Sequence, residues 1–281
     1  MIIIDNLAFH YSRKKHLYNN LNLKLQKGNI YGLLGKNGAG KSTLLKLICG
    51  LLFPRSGMIA VNGYAPGKRL PSFLQTIYLI PEEVYVPAVT IKKYLDLYAV
   101  FYPLFDEKQF REYLAILDVH DEGKLTSLSF GQQKKFIIAF ALACNTEVLI
   151  LDEPTNGLDI PSKLRFRKLM ASVMDRDRII LISTHQVRDL DNLIDHIVVV
   201  EDGRLLVDAS IEAISEQLSF KTVEEPPAGT VYYAEESFRG TCVVTRNECN
   251  EHTKVNLEHL FNAVCVNPGI SELLTPPYIK P

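Results

Sequence analysis

The chain has 281 residues, 47% of them hydrophobic and 22% charged, which is the balance of a folded globular protein with room for one large domain and a small appendage. Lys+Arg 31 against Asp+Glu 32 leaves a formal net charge of -1, so no nucleic acid partner is expected, and no apolar run approaches the ~20 residues that a bilayer crossing needs. The first residues lack signal-peptide flanks and the five cysteines stand at irregular spacings, which together predict a cytoplasmic chain with reduced thiols.

The opening stretch alternates apolar positions (Ile2, Ile4, Leu7, Phe9, Tyr11), and Leu21, Leu23 and Leu25 repeat the period of two, as half-buried antiparallel strands do. Tyr11 stands just before the polar turn Ser12 to Lys15. Its ring suits either core packing or a platform on which a flat base such as adenine stacks. The apolar run Ile30 to Leu34 then leads into Gly35-Lys36-Asn37-Gly38-Ala39-Gly40-Lys41-Ser42-Thr43 and a helix expected over Lys41 to Leu52. This stretch fits G-x-x-x-x-G-K-[ST], in which Gly35, Gly38 and Gly40 let the backbone N–H groups of the loop close around phosphate oxygens at a helix N-terminus. In that pattern Lys41 contacts the β- and γ-phosphates and the Ser42 hydroxyl ligates Mg²⁺.

A strand is expected over Met58 to Val61, a helix near Leu70 to Leu74 and a strand over Ile77 to Ile80. Pro81 stops that strand and Glu82 follows it, either as a solvated turn or as a ligand at the strand-end edge where α/β sheets bind. Residues 88 to 145 take helical periods, with Thr90 as an N-cap. Tyr94, Tyr98, Phe101 or Tyr102, and Phe105 mark one side of a helix that Pro103 should end, serving as core or as a docking surface. Leu128-Ser129-Phe130-Gly131-Gln132 opens a helix over Gln133 to Ala143. Ser129 and Gly131 there offer a hydroxyl and a bare amide at a second positive helix end, suited to capping or to phosphate.

Val148 to Leu151 running into Asp152 and Glu153 has the form of a buried strand that delivers carboxylates to its C-terminal end. Beside a phosphate loop, Asp152 suits Mg²⁺ and Glu153 suits activation of the attacking water. After the tight polar loop Pro154 to Asp159, Pro161 suits the first turn of a helix. A further buried strand, Ile179 to Ile182, ends in Ser183-Thr184-His185, which predicts His185 on the same sheet edge as the phosphates. A helix over Val187 to Leu193, a hairpin around Asp202-Gly203 and a helix over Ile211 to Leu218 complete residues 1–219. Beyond the linker-like Glu224 to Gly229, residues 220–281 predict a small β-rich accessory domain with a short helix (Leu257 to Val264) and a Pro-rich end.

With these residues in hand, the chain closely resembles the ATP-binding-cassette (ABC) ATPases, the nucleotide-binding subunits of ABC transporters, with ABC-2-type exporters among the similar members. Over residues 1–219, Tyr11 resembles the adenine-stacking aromatic, Gly35 to Thr43 the Walker A loop, Val148 to Asp152 Walker B and Glu153 the catalytic glutamate. Gly157-Leu158-Asp159 resembles the D-loop and His185 the switch histidine. Leu128 to Gln132 resembles the LSGGQ signature with Phe130 in place of its first glycine, and Glu82 stands where the family usually has Gln.

The resemblance implies an α/β P-loop ABC-type fold with an antiparallel β subdomain, a helical subdomain (about 88–145) and the C-terminal appendage. It also implies Mg²⁺-dependent hydrolysis of ATP at Glu153 and His185. Ser42, Asp152 and Glu82 are the implied metal ligands, and Tyr11, Gly35, Asn37, Gly38, Gly40, Lys41, Ser42, Thr43, Glu82, Ser129, Gly131, Gln132 and Asp159 the implied nucleotide contacts. Its implied partners are a second copy or a homologous ATPase subunit, paired head to tail, and an integral membrane transporter subunit at the inner face of the cell membrane. The alternative is a soluble ABC-type mechano-ATPase or regulator that is not coupled to transport.

Overall fold

The computed structural model describes residues 1–12, 16–120, 123–174, 177–190, 192–224, 230–238, 240–248, 251 and 253–275. Arg13 to Lys15 of the expected turn, Glu225 to Gly229 of the expected linker and the end of the chain from 276 lie outside them. Alternating apolar residues fold Ile2–Phe9 (β1) and Tyr18–Leu25 (β2) into an antiparallel pair, with Ile2 opposite Leu25 and Ile4 opposite Leu23. Asn29–Leu34 (β3) and Lys41–Ile48 (α1) flank the glycine-rich loop, and Ser56–Val61 (β4) adds to β1 to give a three-stranded sheet. The helix expected to reach Leu52 stops at Ile48. Gly50, at φ 67, ends it with Leu51 N–H bonded to Lys46 O (2.8 Å) and Gly50 N–H to Leu47 O (3.1 Å), a closure that needs a left-handed residue.

Pro71–Leu74 (α2) and Ile77–Ile80 (β5) precede a helical layer of Ile91–Tyr98 (α3), Glu107–Ile116 (α4) and Phe130–Ala143 (α5). Thr90 caps α3 by accepting from Lys93 N–H, as its sequence position predicts. The aromatic stripe is not on one continuous helix, because α3 tightens into a 3₁₀ turn over Ala99–Phe101. Val148–Asp152 (β6), Ile160–Ser172 (α6), Ile179–Thr184 (β7), His196–Glu201 (β8), Arg204–Ser210 (β9) and Ile211–Gln217 (α7) follow. The segment expected as a helix over Val187 to Leu193 is a 3₁₀ turn, Val187–Leu190.

The central sheet has six strands in the order β5-β6-β7-β3-β8-β9, parallel except for β9. Its inner strands are apolar at nearly every position because each face has its own core. Leu149 and Leu151 of β6 and Ile180 and Ile182 of β7 face the helical layer, while Val148, Ile150, Ile179 and Leu181 face α1 and the β1/β2/β4 sheet. The parallel register brings Leu34, Asp152 and Thr184 to one edge, since Leu34 pairs with Thr184 and Asp152 with Ser183.

β10 (Leu218–Val223) follows α7 without a loop and forms an antiparallel sheet in the order β10-β12-β11 with Val231–Ser237 (β11) and Gly240–Arg246 (β12). Two helices close the described chain, Leu257–Val266 (α8) and Pro268–Leu274 (α9). The Pro-rich end thus begins with a helix the residue pattern did not suggest. Pro268 fits its first turn and the Asn267 side chain caps it. Leu260, Ala263, Ile270 and Leu274 belong to the same apolar core as α5, β7 and β8.

Candidate functional site

The loop after β3 folds where side chains would obstruct it. A Cβ on Gly35 would stand 2.3 Å from the Val200 carbonyl oxygen, and Gly40 has φ 105 with the Tyr18 hydroxyl 2.5 Å from where its Cβ would be. That hydroxyl donates to the Gly40 carbonyl (2.8 Å), and Lys36 N–H donates to Glu201 at the end of β8 (3.1 Å). Neither Tyr18 nor Glu201 carries a motif signal, because each supports the loop from a strand distant in sequence.

Lys41 is nearly buried, and its ammonium donates to the Gly35 (2.8 Å) and Lys36 (3.2 Å) carbonyls of its own loop. Burial lowers its pKa, against the opposing pull of Glu153, Asp152, Glu201 and Glu82. Tyr11 is 64% exposed, which excludes core packing, and its hydroxyl lies 2.9 Å from Thr43 Oγ1. Tyr11, Asn37, Gly38, Gly40, Lys41, Ser42 and Thr43 line one cleft of about 630 Å³, together with Glu82, Glu153 and His185 from the neighbouring strand ends.

Asp152 ends β6 and is nearly buried, with Ser183 Oγ donating to its carboxylate. Glu153 is 5% exposed and adopts φ 46, a left-handed conformation that costs a non-glycine residue about 1–3 kcal/mol and persists only where its surroundings hold it. They do so from several sides. Its Oε1 accepts from His185 N–H (2.9 Å) and lies 2.7 Å from His185 Nδ1, and its Oε2 accepts from Thr184 Oγ1 (3.1 Å). Its own N–H donates to Ser183 O (3.1 Å). Glu82 Oε1 accepts from Asn156 Nδ2 (3.1 Å), whose Oδ1 in turn accepts from Gln186 Nε2 (3.3 Å).

Ser129, Gly131, Gln132 and Asp159 do not line this cleft. Ser129 caps α5 by accepting from Gln132 N–H (3.3 Å), and the Gln132 side chain donates to Asp118 O (3.1 Å). Asp159 is exposed and caps α6 by accepting from Ser162 N–H (2.9 Å), and hydrogen bonds from the Ser162 side chain and backbone hold its carboxyl below the usual range. Phe130, the departure from the signature pattern, lays its ring against Gly157, where a Cβ would meet it at 2.8 Å. One turn further along α5, Lys134 is fully enclosed, and nothing in the residue pattern marked it.

Ser42 and Glu82 line the cleft, and Asp152, next to Glu153 at the end of β6, does not; the three offer only oxygen donors, which suits a hard cation such as Mg²⁺. Among the described residues no group of three or more His, Cys, Asp or Glu is poised to cage a metal. No helix among the described residues is long and apolar enough to cross a membrane.

A family profile described as ABC transporter matches residues 18–156. The SkfA peptide export ATP-binding protein SkfE of Bacillus subtilis (strain 168) is 32% identical over 207 residues, covering 72% of this chain and 86% of its own. The bacitracin transport ATP-binding protein BcrA of Bacillus licheniformis is 34% identical over 213 residues, covering 73% of this chain and 68% of its own. A solved ATP-binding subunit of an ABC transporter superposes with a TM-score of 0.68 at 26% identity, over 76% of this chain and 91% of that one. The ATP-binding cassette MJ0796, solved as a dimer with ADP and Pi, has a TM-score of 0.66 at 22% identity over 75% of this chain and 98% of its own, a likeness of fold. With its phosphate loop and strand-end carboxylates on one cleft and these relatives matched along most of their length, the chain belongs to the ATP-binding proteins of the ABC transporter family.

Proposed function

We propose that this chain is the Mg²⁺-dependent, ATP-hydrolysing subunit of an exporter, coupled to transport through a membrane partner. The observation that carries the proposal is Glu153, buried and strained, facing the same cleft as Lys41 and held by His185 and Thr184. The loop's N–H groups and the Lys41 ammonium bind the phosphates, and the Tyr11 ring carries the adenine. Glu153 takes the proton of the attacking water, and His185, hydrogen-bonded to the same carboxylate, orients it. Ser42, Asp152 and Glu82 hold Mg²⁺, which when bound offsets the charge of the phosphates.

Ser129, Gly131, Gln132 and Asp159, exposed or half-buried and outside their own chain's cleft, complete the cleft of a second copy or a homologous subunit. ATP then acts as part of the interface: its binding closes the pair and its hydrolysis reopens it. A groove of about 500 Å³ lined by Leu51, Leu74, Tyr94, Tyr98 and Phe101 receives a segment of the membrane subunit. Export as the direction is supported by relatives named for peptide and Nod factor export. Residues 1–219 form the ATPase unit and 220–281 its accessory part.

The test is Glu153→Gln in the full chain. Turnover should fall by roughly 100-fold or more while ATP affinity stays within a few fold, and chelation of Mg²⁺ should abolish turnover of the unaltered chain. Normal hydrolysis by the variant would remove Glu153 as base. Recovery of the protein with RNA or DNA and without any polytopic membrane protein would overturn the transport reading.

A further inference from the structure

The enclosed lysine of α5 has no part in the mechanism above, and its position asks for one. Lys134 is 0% exposed, and its ammonium donates to three main-chain carbonyls: Glu153 (2.7 Å), Asn156 (3.1 Å) and Glu82 (3.2 Å). A lysine has three N–H donors and no acceptor, so its capacity matches the oxygens around it. Those carbonyls belong to two loops: Glu82 to the turn after β5, and the strained Glu153 and Asn156 to the loop after β6. The charges facing the ammonium are the carboxylates of Glu82, Glu153 and Asp152.

A buried cation is not needed to fill that space, since an apolar side chain of similar length packs as well at less desolvation cost. What the ammonium adds is direction. Glu153 at φ 46 turns its carbonyl away from the path of a strand, and Lys134 Nζ and Asn156 N–H (3.2 Å) both donate to that carbonyl. Among the described residues, the other hydrogen bonds of Glu153 are its own N–H donating to Ser183 and its carboxylate accepting from Thr184 Oγ1 and His185 N–H, with His185 Nδ1 2.7 Å away, all at or just past the end of β7. Lys134 is therefore the polar link between Glu153 and the helical layer. A second grip lies one turn earlier, where the Phe130 ring rests against Gly157 with the Lys134 ammonium 6.0 Å from its centroid.

We propose that Lys134 is a positioning residue that fixes the backbone of Glu153 against the Glu82 and Asn156 loops, so that a shift of the α5 N-terminus, which bears Ser129 and Gly131, moves the general base of the same chain. This rests on the reading of Glu153 as that base. Lys134 also gives Glu82 a fixed place: its carbonyl is held by the ammonium and its carboxylate by Asn156.

The experiment compares the full chain with Lys134→Met, which keeps the length and loses the donors, and Lys134→Gln, which keeps some of them. Binding of a fluorescent ATP analogue, steady-state kcat and KM, and backbone hydrogen exchange without nucleotide are measured on each. For Lys134→Met, kcat should fall at least tenfold with KM and analogue affinity within threefold, and the amides of residues 153 and 155–158 should exchange at least tenfold faster while those of α1 and β3 do not change. Lys134→Gln should fall between the two. Wild-type kcat and exchange in Lys134→Met would overturn the proposal, as would faster exchange spread over the whole fold with binding and turnover lost together. If Lys134→Met does not fold, the same comparison on Lys134→Gln decides. Absence of turnover in the unaltered chain would strike the hydrolysis reading itself, and the exchange data would still decide whether Lys134 holds the loop.

Discussion

Glycine at position 40 shows how much of the cleft depends on single atoms. Its φ of 105 is costly for any side chain, and the Tyr18 hydroxyl occupies the space a Cβ would take. Gly40→Ala should therefore distort the loop at the residue before Lys41 and weaken ATP binding at least tenfold, about 1.4 kcal/mol. Titration with a fluorescent ATP analogue measures this, and unchanged affinity would mean that the loop relaxes around a methyl group. The left-handed glycine and the left-handed Glu153 differ in kind. At Gly40 the conformation is permitted by the residue, whereas at Glu153 it is imposed by hydrogen bonds from β7 and from Lys134. Phe130 likewise acquires a contact from its place: the ring that replaces a signature glycine covers Gly157 of the same chain.

At the scale of elements, α8 is the piece whose standing changes most. The sequence suggests a small appendage, marginal by itself, yet Leu260 and Ala263 are fully buried in the core that also contains Phe136, Phe140, Ile180 and Ile197. Glu258 at the N-terminal end of α8 accepts from Arg188 (2.6 Å), three residues after His185, so the tail reaches the segment that follows the cleft. Leu260→Ala should destabilise the whole protein by about 2–5 kcal/mol, seen as a lower urea midpoint with a single transition. Two separate transitions, with only the minor one shifted, would show instead that the tail is an independent unit.

For the molecule as a whole, the residues that resemble the family's nucleotide contacts divide into two groups. Tyr11, Asn37, Gly38 and Gly40 to Thr43 of the phosphate loop, Glu82, Glu153 and His185 line one cleft, whereas Gly35, Ser129, Gly131, Gln132 and Asp159 do not. A chain with this division is expected to be an ATP-dependent dimer. Glu153→Gln with ATP and Mg²⁺ should shift from monomer to dimer by size-exclusion chromatography with light scattering. Adding Ser129→Glu, which sets a carboxylate against the partner's phosphates, should abolish the dimer and leave ATP binding by the single chain intact. A dimer that survives Ser129→Glu would place the second half of the cleft elsewhere.

The sequence by itself determined the features that depend on local chemistry. These are the glycine-lysine-serine loop between a strand and a helix, the buried strands ending in Asp152-Glu153 and in His185, the caps at Thr90 and Ser129, and the ordered set of motifs that marks the family. Such signals lie within a few residues of one another and reflect backbone rules that hold in any fold. Tertiary structure decided what depends on neighbours distant in the chain. Tyr18 and Glu201 support the phosphate loop across strands, and α1 ends at Ile48 because the chain turns at Gly50, whose Cβ would stand 2.2 Å from the Pro66 carbonyl. The α8 and α9 helices join the main core instead of standing apart. Lys134 is the sharpest case. On a helix surface a lysine is an ordinary solvated residue, and only the convergence of three carbonyls from two loops on its ammonium makes it part of the cleft's frame.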